Sequence, residues 1–215
     1  MDPDVFAREL PLLFDDYPRS VHPRDRRFRR VVDEVEGLTR ENNLALLALA
    51  ASLLEPGESY VEVGSWLGAS LIAALLGNTQ ADVVAIDSFA FRDGSRAQLE
   101  ENLERFGLGG RAEILEGDLF ELAPAGALAG RRVGVWYYDA LHTYEAQLEG
   151  LRIVRPYLVA GALIVVDDTD WEQVGRSIDD FLAEEPRARR LVSIEGKDSG
   201  FPQWWEGVEV LAWEA

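Results

Sequence analysis

Cysteine is absent from the whole 215-residue chain, which removes disulfide bonds, thiolate zinc sites and cysteine nucleophiles. Histidine is nearly absent: His22 and His142 are the two in the chain, so a histidine base has two candidate positions. Long hydrophobic runs are missing as well. The longest apolar stretch, Leu44 to Leu54, is too short to span a bilayer, which takes about 20 residues. The opening Met1-Asp2-Pro3-Asp4 is acidic and carries no apolar run, so no signal peptide is read and a cytoplasmic location is expected. Basic charge is scarce, with 21 Lys and Arg against 39 Asp and Glu, a net charge of −18. So acidic a protein repels phosphate backbones and anionic lipid surfaces, and neither nucleic acid nor membrane is an expected partner.

What is present suits one domain with a short N-terminal extension. Residues 1–38 are rich in Asp, Arg and Pro, with apolar positions Val5, Leu10 and Leu13, then Phe28, Val31, Val32 and Val35, that predict two short helices. The run Arg24 to Arg30 is the one concentrated basic patch, read as a solvated helix face balanced by nearby acids or as a cap or dimer contact near an anionic substrate. Residues 39–215 form the main domain. Thr39 is a plausible N-cap for a helix from Arg40 to Leu54. Tyr60–Val63, Val83–Ile86, Ala112–Leu115, Val133–Tyr138 and Ala162–Val166 read as strands, separated by helical segments that end near Leu76, Phe106 and Tyr157, with a further helix from Trp171 to Leu182. Such alternation implies an α/β fold, a mostly parallel sheet with helices on both faces. Leu191–Ile194 and Val208–Leu211 are joined by a loop without helical pattern, and predict an antiparallel C-terminal pair at the sheet edge.

Ligands of an open α/β sheet bind beyond the carboxyl ends of its strands, and polar residues gather there. The first strand runs into Glu62-Val63-Gly64-Ser65-Trp66-Leu67-Gly68-Ala69-Ser70, where glycines allow a sharp turn and close backbone approach to a ligand; an ordinary tight strand-to-helix turn would use them too. A dinucleotide fingerprint needs a middle glycine, and Trp66 stands there. The second strand ends in Asp87-Ser88, where a carboxylate can accept two ribose hydroxyls, and the third in Glu116-Gly117-Asp118-Leu119, where Asp118 could equally cap a helix. The fourth and fifth strands end in Asp139-Ala140-Leu141-His142 and in Asp167-Asp168. Neighbouring buried carboxylates raise each other's pKa. A divalent cation would relieve that cost, and oxygen ligands without cysteine favour Mg²⁺, Mn²⁺ or Ca²⁺ over zinc; the same acids could instead cap helices and face solvent.

Taken in order, an acidic residue before a glycine loop, then Asp87, then Asp118, resemble the class I S-adenosylmethionine-dependent methyltransferases. The resemblance implies their Rossmann-like sheet, with Glu62, Gly64, Ser65, Gly68, Ser70, Asp87, Ser88, Asp118 and Leu119 as cofactor-binding residues and Asp118 near the adenine. Within that class, Asp139, Asp167 and Asp168 match the three metal-ligand positions of metal-dependent small-molecule O-methyltransferases. The segment from Asp139 through His142-Thr143-Tyr144-Glu145 is similar to the branch acting on macrolides and rhamnosyl sugars, and departs from the catechol branch at His142 and Asp168. The resemblance covers about Thr39 to Ala215. It implies S-adenosylmethionine and a divalent cation, Mg²⁺ foremost, as cofactors. The partner it implies is a small-molecule hydroxyl acceptor in natural-product biosynthesis, and family habit allows a homo-oligomer. His142 would remove the hydroxyl proton, with Asp139 as a ligand or as its orienting partner. Phe89–Gly94 and Phe201–Trp205 are candidate pocket walls, the latter aromatic. A nicotinamide-dependent oxidoreductase and a non-catalytic cofactor-binding subunit are the competing readings.

Overall fold

The structure is a computed structural model that describes residues 1–214. Strands β1 (Ser59–Val63), β2 (Asp82–Asp87), β3 (Glu113–Glu116), β4 (Val133–Tyr138) and β5 (Leu158–Asp167) pair in parallel. With β6 (Ala188–Ile194) and β7 (Val208–Trp213) they make a seven-stranded sheet in the order β3-β2-β1-β4-β5-β7-β6. β7 runs antiparallel to both β5 and β6, so the predicted C-terminal pair closes the edge, with the last strand inserted inside it. The strand order reverses between β1 and β4, which makes the crevice above them the natural ligand site.

Both central strands are buried along their whole length, which is why they read as continuous apolar runs and not as alternation. Alternate side chains serve two cores. Tyr60, Val135 and Tyr137 face one layer with α3 (Glu41–Ser52), α4 (Ala69–Gly77) and α5 (Arg96–Arg105). Val61, Trp136 and Tyr138 face the other, with α6 (Leu119–Leu122), α7 (Tyr144–Val154) and α8 (Glu172–Glu184).

The first 38 residues join the first of these cores. Helix α1 (Pro3–Glu9) contributes Phe6 and α2 (Arg27–Glu34) contributes Phe28 and Val31, with Leu10, Phe14 and Val35 between and after them. They cover the outside of α3, and ten residues of that helix are buried around its circumference. The basic run is balanced by its neighbours: Arg24 pairs with Asp15 at 2.8 Å, Arg29 with Asp33 at 2.9 Å and Arg30 with Glu34 at 2.8 Å. Thr39 does not cap α3; Arg40 holds that position without a side-chain bond. Among the described residues, no helix is long and apolar enough to cross a membrane.

Trp204 fastens the N-terminal segment to the domain. It is fully buried, its indole N–H donates to the Pro18 carbonyl at 2.8 Å, and its ring meets Phe14 at 5.3 Å and Tyr17 at 6.2 Å. The sequence reading of Phe201–Trp205 as one aromatic wall is corrected here for Trp204, which faces the core. Trp204→Ala is expected to cost about 3–5 kcal/mol, the range for a buried tryptophan, read as a shift of the urea midpoint.

Candidate active site

The carboxyl ends of the parallel strands open into one cavity of about 830 Å³. Of the residues predicted to hold the cofactor, Gly64, Ser65, Gly68, Ser70, Asp87, Ser88, Asp118 and Leu119 line it. The loop after β1 takes its shape from two glycines. Gly68 is the N-cap of α4 in the left-handed region, φ +90°. Gly64 has φ +91°, and a Cβ there would overlap the carbonyl of Asp139. Between them Trp66 holds φ +42°, an outlier for so bulky a residue. Asp87 secures it: one carboxylate oxygen accepts from the Trp66 N–H and the other from the Phe89 N–H, each at 2.6 Å. Each oxygen keeps a lone pair for a ribose hydroxyl. Asp118 caps α6, accepting from the Phe120 N–H at 2.7 Å, so the capping role and a place on the cavity wall coexist.

Glu62 is fully buried and lies beneath the wall. Its two oxygens accept from the Ser70 and Tyr60 hydroxyls, each at 2.8 Å. It braces the glycine loop from below. Burial drives its pKa up to about 7, against the pull of the hydroxyls that stabilise its charge.

The other end of the cavity carries Asp139, His142 and Asp168, and one ligand atom from each lies within 4.8 Å of the others. His142 Nε2 is 3.3 Å from Asp168 Oδ2 and 3.5 Å from Asp139 Oδ1, without a well-formed hydrogen bond to either. Asp168 Oδ1 is buried and also unpartnered. Orphaned polar atoms on residues that line one cavity are what a divalent cation would satisfy. Asp168 itself holds φ +58°. Burial, then the charge of Asp139, lifts its pKa to about 7. For His142, burial pulls the pKa down, but the close carboxylate of Asp139, with the charge of Asp168, outweighs it and the net shift is upward.

Asp167 sits apart from this trio. It is buried behind the wall, its Oδ2 3.0 Å from the Tyr137 hydroxyl and its Oδ1 3.5 Å from the Asn43 amide. The same hydroxyl is 3.0 Å from Asp139 Oδ2. Burial, then Asp139, then Asp168, hold the Asp167 pKa well above the ordinary carboxylate range. His22 lies elsewhere, against Glu41 at 2.8 Å.

Several lining residues escaped the sequence reading. Tyr137 stands two positions before Asp139 on β4, and strand alternation, which puts i and i+2 on one side, would have placed its hydroxyl beside the carboxylates. Trp171 lies edge-on to His142, with ring centroids 5.3 Å apart. Thr39 brings a buried, unpartnered hydroxyl to the wall, and Glu206 a carboxylate; no local pattern marked either.

The family described as a methyltransferase domain matches residues 61–169. No curated protein matches the sequence. Among solved structures, the fold is similar to cofactor-bound Rv0187 from MTB, at 21% identity and TM-score 0.67 over 100% of this chain and 99% of that one. It is similar to the O-methyltransferase from Bacillus cereus in complex with SAH, at 14% identity and TM-score 0.67 over 99% and 100%. It is likewise similar to TomG from Streptomyces achromogenes, an O-methyltransferase involved in tomaymycin synthesis and bound to SAM, at 17% identity and TM-score 0.66 over 99% and 96%.

The raised pKa of Glu62 sets a stability window. Its folded value of about 7 lies above the ordinary 4.5, so the neutral acid is the form the fold favours. That contribution is complete below 4.5 and is lost as pH rises through 7. Glu62→Gln keeps a neutral side chain at every pH. The stability difference between wild type and Glu62→Gln, from urea titrations of ligand-free protein, should therefore shift against wild type across that window and level off above it. A difference flat with pH would refute the burial account.

Proposed function

The chain belongs to the methyltransferase-domain family, and from that premise we propose that it is a cytoplasmic S-adenosylmethionine-dependent O-methyltransferase acting on a hydroxyl of a small molecule, a natural-product sugar or another diol. One observation carries the acceptor chemistry: Asp139, His142 and Asp168 converge, with unsatisfied atoms, in the cavity whose other end is the glycine loop. The Bacillus cereus and Streptomyces achromogenes structures of similar fold are O-methyltransferases with SAH or SAM bound, which supports the same assignment.

The residues suit both cofactors. Gly64, Ser65, Gly68 and Ser70 would hold the methionine portion of S-adenosylmethionine, Asp87 and Ser88 its ribose, and Asp118 and Leu119 its adenine. Asp139, Asp167 and Asp168 would hold Mg²⁺, an oxygen-rich set that suits a hard cation. When bound, S-adenosylmethionine supplies a methyl group on positively charged sulfur for displacement by the acceptor oxygen, and the cation supplies positive charge that favours the deprotonated hydroxyl. His142 takes that proton at Nε2, the atom already turned toward Asp139 and Asp168. The two carboxylates orient the imidazole and favour its protonated form. Trp171 covers one edge of the ring and limits water there.

A second arrangement has its own support. Because the Asp139, His142 and Asp168 ligand atoms cluster while Asp167 lies behind them, His142 could serve as a cation ligand in place of Asp167. One pair of variants separates the two. With His142 as base, His142→Ala should lower kcat by about 10²–10⁴-fold while calorimetry finds S-adenosylmethionine and Mg²⁺ still bound. With His142 as ligand, the Mg²⁺ heat disappears too. Asp168→Ala should abolish the Mg²⁺ heat in either case. Methyl transfer would be followed by mass spectrometry on a panel of glycosides and catechols, and failure to bind S-adenosylmethionine would overturn the function.

A further inference from the structure

The acceptor end of the cavity is walled by residues outside both cofactor constellations. Trp171, 40% exposed, stands beside His142. Trp205 and Glu206 face the same space from the loop that leads into β7. That loop is held firmly in an uncommon shape. Trp205 has φ +57°, a conformation bulky residues avoid. The Trp205 carbonyl accepts from the Lys197 N–H at 2.6 Å, and the Glu206 carbonyl from the Asp170 N–H at 2.7 Å. Gly196 and Gly207 cross so closely that a Cβ on Gly196 would overlap the Gly207 nitrogen. Strain maintained in this way, next to Asp168 with its own φ of +58°, points to a shape that is used.

The charges there are one-sided. Asp139, Asp168 and Glu206 line this part of the cavity and Glu36 lines it elsewhere, and Arg92 is the one lysine or arginine among the described residues on its wall. Lys197 pairs with Glu206, and Arg40 stacks on the indole of Trp205 at 4.4 Å, but neither is a wall residue. A divalent cation on the aspartates would offset two charges and Lys197 offsets Glu206 from behind the wall, so the cavity side keeps a surplus of carboxylate over its one cation, Arg92. An anionic acceptor would lose its hydration beside those carboxylates, after approaching a chain of net charge −18. A flat apolar face, by contrast, finds the indoles of Trp171 and Trp205, and a hydrogen-bond donor finds Glu206.

Resting on the methyltransferase reading of the same cavity, we propose that Trp171, Trp205 and Glu206 form an acceptor subsite that selects neutral or cationic molecules and rejects carboxylated or phosphorylated ones. Three vicinal diols that differ in charge test it: dopamine (+1), 4-methylcatechol (0) and 3,4-dihydroxybenzoate (−1), each titrated by calorimetry into the full chain loaded with SAH and Mg²⁺. SAH is titrated first. If SAH does not bind, the proposed function fails and this subsite with it. If SAH binds, the cationic and neutral diols should bind at least about tenfold more tightly than the anion, a difference of about 1.4 kcal/mol. Glu206→Gln should then narrow the gap between the cation and the anion without changing SAH affinity, and Trp205→Ala should weaken the cationic and neutral diols alike. Equal affinities, preference for the carboxylate, or no diol binding at all would overturn the subsite and leave the methyltransferase reading standing. The charge series on wild type decides the matter even if a variant fails to fold.

Discussion

The site depends on one close approach: the backbone of Gly64 lies against the carbonyl of Asp139, where any Cβ would collide. The Asp139 N–H donates to the Val63 carbonyl at 2.9 Å, and the Gly64 N–H to the Ile86 carbonyl at 2.9 Å. These contacts extend the β2–β1–β4 pairing past the strand ends. The loop that would hold the methyl donor and the loop that carries Asp139 and His142 thus become adjoining walls of one cavity. Displacement chemistry is unforgiving of distance, since misplacement by about 1 Å can cost 10²-fold. A side chain at Gly64 would push the two halves apart by more than that. The glycine is needed here for proximity more than for flexibility.

Bringing the strand ends so close also concentrates carboxylates. Glu62, Asp167 and Asp168 are buried within one layer and Asp139 is half-buried beside them. Tyrosine hydroxyls make this tolerable without an ion: Tyr60 donates to Glu62, and Tyr137 lies between Asp139 and Asp167. A single phenol proton can serve one of those two aspartates as donor. The other contact is satisfied when a carboxyl keeps its own proton and donates to the phenol oxygen, in keeping with the raised pKa of Asp167. This arrangement shares protons among the carboxylates, and a bound cation would compete with those protons for the same oxygens.

Residues whose place is set by a local run of sequence are legible. The strand–glycine–helix run around Gly64 and Gly68, the strand-terminal Asp87 and Asp118, and the helical segment after Asp139 each announce themselves within about ten residues of chain, and the sheet follows from their alternation. Contributions that depend on how distant segments meet are not. Asn43 reaches Asp167 across 124 positions, and Glu206 joins the wall because β7 inserts between β5 and β6. Thr39 reads as a cap from its residue type, but a cap is defined by the bond its oxygen makes, and that oxygen is buried without a partner. The place of Glu62 before the glycine reads as a cofactor contact; in the fold its carboxylate turns to Ser70 and Tyr60 and braces that loop.

The N-terminal segment shows most clearly why a chain without motifs can still shape a site. Trp204 and Gln203 both donate to the Pro18 carbonyl, at 2.8 and 3.0 Å, so the segment before α2 fixes where this part of the β7 loop sits. With Trp204 held in the core, the left-handed backbone at Trp205 turns the next side chain the other way, into the cavity. Adjacent tryptophans thereby take opposite places, one anchoring the extension and one on the cavity wall. The same extension returns after α2 to line the cavity with Glu36 and Leu38. Its sequence carries no chemistry of its own because its work is geometric: it covers α3, sets the β7 loop and closes one side of the cavity.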